Sequence, residues 1–463
     1  MPEQEIDLSK DKAVHLVGIG GAGMGAIAEV LATMGHQVSG SDIKDSHRLD
    51  RLKTFGVETY IGHDSENIGD VDFVAHSTAI SASNVEILET HKKGIPLLSR
   101  ERVLSAISTL KDSLAVAGTH GKTTTASMLS LVLRDAGLHP SFIIGGEVNE
   151  IGTGALWDTG EILVIEADES DASFLGLKRQ FSIITNLEAD HLEFFGGFEA
   201  LYEAFVKFGK ETNGPVVLGI DDESSLRLSK DIEAITVGFH KDAEWKIEVS
   251  KESWNGSDFT VFSEGSSEIN LSIPLPGLHN VKNASLTAVA GILLGVGAES
   301  VRSSLTAFAG VARRFEHRGK ENGVTFVDDY AHLPSEVEST IGAASNGSWN
   351  RLVAVFQPHR YSRTHSIGHT FAHSFNHADL VVITDIFPGG EEVRPGVSGR
   401  IVFDAIVEKS PGMNVQYFSN RAQLVDFLVN ELAEGDICLT LGAGDITSLS
   451  EEIKFSMRDL DGE

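Results

Sequence analysis

Gly118-Thr119-His120-Gly121-Lys122-Thr123-Thr124 follows the apolar run 113–117 and opens a helical stretch over 123–136, and this strand, glycine loop and helix decide the fold. A loop so placed cradles phosphates. Backbone amides at the helix start meet anionic oxygens, Lys122 adds a charge, and the Thr123 hydroxyl can reach Mg²⁺. Val116 occupies the first glycine of the general GxxxxGK[ST] pattern, but residues 118–123 keep the anion nest, the lysine and the hydroxyl.

Downstream, the apolar runs 162–165 and 181–185 continue an α/β rhythm. Glu166 ends the first, in the acidic stretch 166–171, and His191 follows the second, at the end of Asn186-Leu187-Glu188-Ala189-Asp190-His191. Ligands gather at the carboxyl ends of parallel strands, so both residues are expected beside the phosphate loop. Carboxylate oxygens suit Mg²⁺, and a histidine can join the metal or hold its water. Acidic loop residues that only meet solvent would read the same way.

Upstream, runs at 14–18, 38–40 and 73–77 alternate with helix-like stretches at 24–34 and 83–93, which implies a parallel sheet. Gly18-Ile19-Gly20-Gly21-Ala22-Gly23 turns from strand into helix, and Asp42 follows the next strand, as in a dinucleotide-binding fingerprint. Alone, it suggests a dehydrogenase and leaves the nucleotide open; a bare tight turn is the other reading. Between 243 and 273 the pattern becomes alternating around Asn255-Gly256, which predicts an antiparallel hairpin.

A third set of apolar runs, at 324–327, 352–356, 380–384 and 437–441, lies beyond the basic pair Arg313-Arg314. Asp329, Tyr330 and His332 follow one predicted strand, and His359, Arg360 and Arg363 follow the next. Arginine forks could grip a small carboxylate, although surface arginines are common. The boundaries fall near 110 and 310, giving an α/β chain of three segments: a Rossmann-like 1–110, a P-loop ATPase-like 111–310 with a small antiparallel patch, and a Rossmann-like 311–463.

Length supports this division, since 463 residues suit about three domains at roughly 100–200 residues each. Charge narrows the partners: 37 basic against 67 acidic residues give −30, which repels nucleic-acid phosphates and anionic lipid surfaces. Any anionic substrate needs a local site. A single cysteine, Cys438 in an apolar run, excludes an intrachain disulfide framework and reads as a core thiol. The charged start and the lack of ~20 consecutive apolar residues predict a cytoplasmic protein without membrane insertion.

Taken in order, the two glycine loops, the acidic stretch 166–171, Gly277-Leu278-His279-Asn280-Val281-Lys282-Asn283, Arg313-Arg314-Phe315-Glu316 and Gln357-Pro358-His359-Arg360-Tyr361-Ser362-Arg363 resemble the Mur ligase family over nearly the whole chain. That resemblance implies an ATP-dependent ligase of peptidoglycan precursor synthesis, joining L-alanine to the lactyl carboxylate of UDP-N-acetylmuramate and releasing ADP and phosphate. A related ligase that attaches a recycled murein peptide is the alternative. Gly18, Gly20, Gly21, Ala22 and Gly23 would then take the UDP diphosphate, with Asp42 and Ser77 near the uridine. Gly118, Thr119, His120, Gly121, Lys122, Thr123 and Thr124 would hold ATP with Asn280, Asn283, Arg314 and Asp329.

The same resemblance places Mg²⁺, or Mn²⁺, with Thr123, Glu166 and His191, and the amino acid with Tyr330, His332, Arg360 and Arg363. Lys122, Glu166, His191, Arg314, Asp329 and His332 would be the catalytic set, with His332 as base or proton relay, in a monomer or homodimer. Family members usually read AspAspTyrGlyHisHisProThrGlu, whereas Ala331 and Leu333 stand here in place of the glycine and the second histidine. His332 is therefore expected to act without that neighbour.

Overall fold

Short apolar runs separated by capped helices build three sheets, and the computed structural model describes residues 6–461 except 78, 171, 191, 266 and 267. In the first segment β1 (Ala13–Val17), β2 (Gln37–Asp42), β3 (Glu58–Ile61), β4 (Phe73–His76) and β5 (Leu97–Ser99) lie in the order β3-β2-β1-β4-β5. All neighbours are parallel. The order reverses between β1 and β4, where an open α/β sheet forms its crevice. Ser46, Asn84 and Ser99 accept backbone N–H groups at the starts of helices His47–Thr54, Val85–Lys93 and Arg100–Ser108, fixing where each begins.

The second segment contributes β6 (Asp112–Ala117), β7 (Ser141–Val148), β8 (Thr153–Leu156), β9 (Ile162–Glu166), β10 (Phe181–Ile184), β11 (Val216–Gly219), β12 (Ile235–Gly238), β13 (Trp245–Ser253), β14 (Gly256–Ser263) and β15 (Ile269–Ile273). They run β15-β14-β13-β12-β11-β10-β6-β9-β7-β8, with β6 central and its neighbours β9 and β10 parallel to it. β8 is antiparallel to β7. The expected hairpin is present, but Trp254 and Asn255 form its connection and Gly256 begins β14 at φ +152°, where a Cβ would lie 2.6 Å from the Ile273 carbonyl, so the position requires glycine.

In the third segment β16 (Glu316–Glu321), β17 (Val324–Asp329), β18 (Leu352–Phe356), β19 (Leu380–Thr384), β20 (Val415–Phe418) and β21 (Ile437–Leu441) are ordered β16-β17-β21-β18-β19-β20. Only the β16 edge is antiparallel. The chain is α/β throughout, with mostly parallel sheets. Cys438 on β21 is fully buried, and burial pushes its thiol up to about 12. No helix among the described residues is long and apolar enough to cross a membrane.

By contacts the chain forms two compact units: Met1–Glu248 with Phe259–Leu271 and Lys282–Ala309, and Val249–Asp258 with Ser272–Val281 and Gly310–Glu463. The first sheet and most of the second share a unit, and Glu29 ties them together. On helix Ala22–Thr33, this buried carboxylate takes both forks of Arg51 at 3.1 and 3.0 Å and the Thr153 hydroxyl at 3.0 Å, while Arg51 also reaches the Gly152 carbonyl. In the other unit the hairpin tip is held by Trp254, whose ring meets Trp349 edge-on at 4.9 Å and His317 at 5.5 Å.

Phe356 anchors one face of the third sheet, fully buried with Phe371 and Phe375 rings at 4.9 and 5.7 Å. Phe356→Ala is expected to destabilise that unit by about 3–5 kcal/mol, read by urea denaturation; a change below about 1 kcal/mol would show that the cluster does not hold the sheet.

Candidate active site

The phosphate loop is shaped by close packing. Gly118, at φ +129°, lies where a Cβ would strike the Thr185 hydroxyl at 2.1 Å, and a Cβ at Gly121, φ +78°, would meet the Asn283 amide oxygen at 2.4 Å. Asn186 clamps the loop's middle: its carbonyl accepts the His120 N–H at 2.9 Å and its amide donates to the His120 carbonyl at 2.9 Å. Thr119 exchanges hydrogen bonds with the backbone of residue 188, and the His120 ring lies 3.3 Å from Glu188. Thr124 is buried in the first turn of helix Lys122–Asp135.

Lys122 folds back onto its own loop, donating to the carbonyls of Gly118 at 2.6 Å and Thr119 at 3.2 Å and to Glu169 at 2.9 Å. Burial works against its ammonium, but Glu169, Asp168 and Glu166 outweigh it and raise its pKa. Glu169 is also buried, and burial drives its carboxyl up to about 7 against the pull of Lys122. Thr123 donates to Glu166 at 3.0 Å, and the second Glu166 oxygen accepts the Gly145 N–H at 2.7 Å. His191 lies outside the described residues, and among those described no cluster of three His, Cys, Asp or Glu is placed to hold a metal. A hydroxyl and a carboxylate nonetheless fit Mg²⁺, which keeps several waters and takes phosphate oxygens with one or two protein ligands.

The first glycine loop is equally tied down. Gly18 and Ile19 donate to the Ser41 carbonyl at 2.8 and 3.0 Å, and Gly20 donates to the Asp42 carboxylate at 2.9 Å. Ser77 packs 3.2 Å from where a Gly18 Cβ would be, and Gly21 leads into the helix opened by Ala22 and Gly23. Beside that helix start lies a cavity of about 220 Å³, lined by Ala22, Gly23, Arg100, Glu166, Asp168 and Phe174 among others. Arg100 lies 3.4 Å from Asp168 within it. Arg100, Asp168 and Glu169 are functional candidates that the sequence reading did not single out, although the latter two sit in the acidic stretch already flagged.

In the second unit Asp329 is buried, accepting the Phe315 N–H at 2.7 Å and the Ala331 N–H at 2.8 Å, and burial pushes its carboxyl up to about 6. Arg313 and Arg314 lie over the Tyr330 ring at 4.9 and 5.1 Å. Arg313 is also spent on the carbonyls of Gly442 and Gly444, whereas Arg314 lies 3.9 Å from Glu336. Asn280, on the helix that carries Asn283, donates to the Pro276 carbonyl at 2.8 Å.

The His332 ring lies edge-on to Tyr330 at 5.4 Å and to His359 at 5.8 Å, and Arg363 bonds His359 at 3.2 Å. His359 thus supplies an imidazole neighbour although position 333 does not; Leu333 and Ala331 are both buried, Ala331 within the apolar core of this unit. Arg360 packs on Gly389 at φ +66° and opens helix Tyr361–Ile367. His332 Nδ1 faces the Tyr330 carbonyl at 3.0 Å, so the neutral ring carries its proton there and presents Nε2 as acceptor.

A phosphate loop backed by a threonine–glutamate pair at the carboxyl ends of adjacent parallel strands defines a nucleotide-binding α/β protein. Three family models then match in chain order: the Mur ligase family catalytic domain over residues 13–111, the Mur ligase middle domain over 116–291 and the Mur ligase glutamate ligase domain over 313–444. The chain is 40% identical over 457 residues to the UDP-N-acetylmuramate–L-alanine ligase of Pelotomaculum thermopropionicum, covering 98% of this chain and 99% of that protein. It is 41% identical over 451 residues to the enzyme of that name from Desulforamulus reducens, covering 96% and 97%. The crystal structure of the UDP-N-acetylmuramate–alanine ligase of Thermotoga maritima superposes with a TM-score of 0.83 at 29% identity over 98% of this chain and all of that one. A murein peptide ligase from Psychrobacter arcticus shares the fold, with a TM-score of 0.71 at 23% identity, covering 96% and 98%. The chain belongs to the Mur ligase family.

Burial lowers the His332 pKa from its ordinary 6.5 to about 4, with Glu336 opposing and Arg363 and Arg314 assisting. Between those values the unfolded chain holds a proton that the folded one does not, so stability is present above about 6.5 and lost as pH falls toward 4. Urea denaturation of this unit, followed through Trp254 and Trp349, should show that loss, with a flatter pH dependence in His332→Asn; parallel curves would contradict the assignment.

Proposed function

We propose that this chain joins L-alanine to the lactyl carboxylate of UDP-N-acetylmuramate at the expense of ATP, forming an amide and releasing ADP and phosphate. One observation carries the reading: Glu166, bonded to the phosphate-loop hydroxyl, also lines the cavity that opens beside the first glycine loop. The phosphate chemistry and the sugar-nucleotide loop therefore meet at one carboxylate. Segments 1–110, 111–310 and 311–463 are assigned to the sugar nucleotide, ATP and the amino acid respectively.

A carboxylate is a poor electrophile, so its oxygen first takes the γ-phosphoryl group of ATP and becomes an acyl phosphate as ADP leaves. Two anions must approach for this. Lys122, freed from its loop carbonyls and Glu169, would hold the phosphates, and Arg100 would hold the lactyl carboxylate in the cavity. Mg²⁺, when bound by Thr123 and Glu166 with His191, supplies charge neutralisation at the phosphate oxygens. Asn283 is assigned with Asn280 to the nucleotide, and Arg314 and Asp329 to its phosphate end.

The amine of L-alanine then attacks the acyl carbon and phosphate leaves. Arg360 and Arg363 are assigned to the amino-acid carboxylate, with Tyr330 and His332 at the amine. An imidazole held to about 4 takes little of an ammonium proton, so His332 Nε2 serves better as an acceptor that orients the amine and relays its proton. With substrates drawn from the nucleotide pool, the protein is placed in the cytoplasm, as a monomer or homodimer.

Phosphate release with ATP, Mg²⁺ and UDP-N-acetylmuramate is the test, adding L-alanine, glycine, L-serine or a murein tripeptide in turn. Release should require the sugar nucleotide and favour L-alanine, and Lys122→Ala should lower kcat about 10²-fold or more. Preference for the tripeptide would overturn the assignment in favour of the recycling ligase.

A further inference from the structure

Glu86 is a carboxylate to which the proposed reaction gives no task, fully buried in the first turn of helix Val85–Lys93. A buried charge persists only where enough donors satisfy it. Its Oε2 accepts the Ser41 hydroxyl at 2.5 Å and lies 3.0 Å from His63 Nδ1. Its Oε1 accepts the Asn67 amide at 2.6 Å and the Asp64 N–H at 3.4 Å, with His15 Nε2 3.8 Å away. Burial alone would raise this carboxyl, but His15, Ser41 and Asn67 outweigh it and hold it at about 2. One ionised group thus binds β2, the turn after β3 and the helix that follows β4.

That knot bears on the glycine loop. The Ser41 carbonyl accepts the N–H groups of Gly18 and Ile19, the Asp42 carboxylate accepts that of Gly20, and the Asp42 carbonyl accepts the Gly62 N–H from the turn that carries His63. With the amides of 18–20 turned inward, those of Ala22 and Gly23 at the helix start remain without an intrahelical partner and suit a diphosphate.

We propose that Glu86 is a positioning residue for the sugar-nucleotide substrate: through Ser41 and the His63–Asn67 turn it holds the glycine loop in the shape that receives the diphosphate. The proposal rests on reading residues 18–23 as the diphosphate loop. Glu86→Gln keeps the size of the side chain but loses acceptor capacity, and Asn67→Ala removes one tie without touching the charge.

Calorimetric binding of UDP and the three Michaelis constants would be measured for the wild type and both variants. Glu86→Gln should weaken UDP binding and raise the KM for UDP-N-acetylmuramate about tenfold or more, leaving kcat and the KM values for ATP and L-alanine within about twofold. Asn67→Ala should act in the same direction by a smaller factor, and it decides the matter alone if Glu86→Gln does not fold. Unchanged UDP affinity in the variants, or an equal loss across all three substrates, would overturn the proposal. A wild type that binds UDP-N-acetylmuramate but not UDP would instead overturn the reading of the loop, and this proposal with it.

Discussion

Everything at the phosphate loop depends on how one buried ammonium is balanced. Lys122 lies 2.9 Å from Glu169, with Asp168 and Glu166 also acting on it, so the loop is held by a positive charge that its own carboxylates and carbonyls satisfy. On the proposed reading, a nucleotide would compete for the same charge. In a chain of net charge −30, triphosphate and carboxylate substrates are repelled overall, and only such a local concentration of cationic and backbone donors can reverse that. Glu169 is held against its own burial by Lys122, and burial still drives its carboxyl up to about 7.

The sheets place these groups. β6 ends in the phosphate loop, β9 ends at Glu166, and β10 leads into Asn186, all neighbours in one parallel array whose carboxyl ends coincide. The first segment presents its own glycine loop between β1 and the following helix, a second turn of the same physical design. In the second unit, burial lowers His332 to about 4 and His359 to about 3, so both rings are neutral near pH 7, and it raises Asp329 to about 6, with the charges of Arg313, Arg314 and Arg363 acting on the same cluster.

Both glycine loops were legible in the sequence because their conformations are local: Gly18, Gly118 and Gly121 have positive φ and close neighbours that exclude a side chain. Strand runs were legible for the same reason, and β17, β18, β19 and β21 fall on the apolar stretches. The pairings of Lys122 with Glu169 and of Arg100 with Asp168 were not, since they join residues 47 and 68 positions apart. His359 as the neighbour of His332 was hidden likewise, because motif spacing at 331–333 pointed to an absent histidine rather than to one in the loop that follows β18. The edge strand β16, Glu316–Glu321, is polar throughout and gives no apolar signal, and β20 is only four residues long.

The acyl phosphate is the claim on which the assignment of both units turns, and transfer of oxygen tests it directly. UDP-N-acetylmuramate labelled with ¹⁸O in its lactyl carboxylate would be turned over with unlabelled ATP and L-alanine, and the released phosphate examined by mass spectrometry. Activation through an acyl phosphate places one carboxylate oxygen in each phosphate released. Phosphate without label would contradict the account.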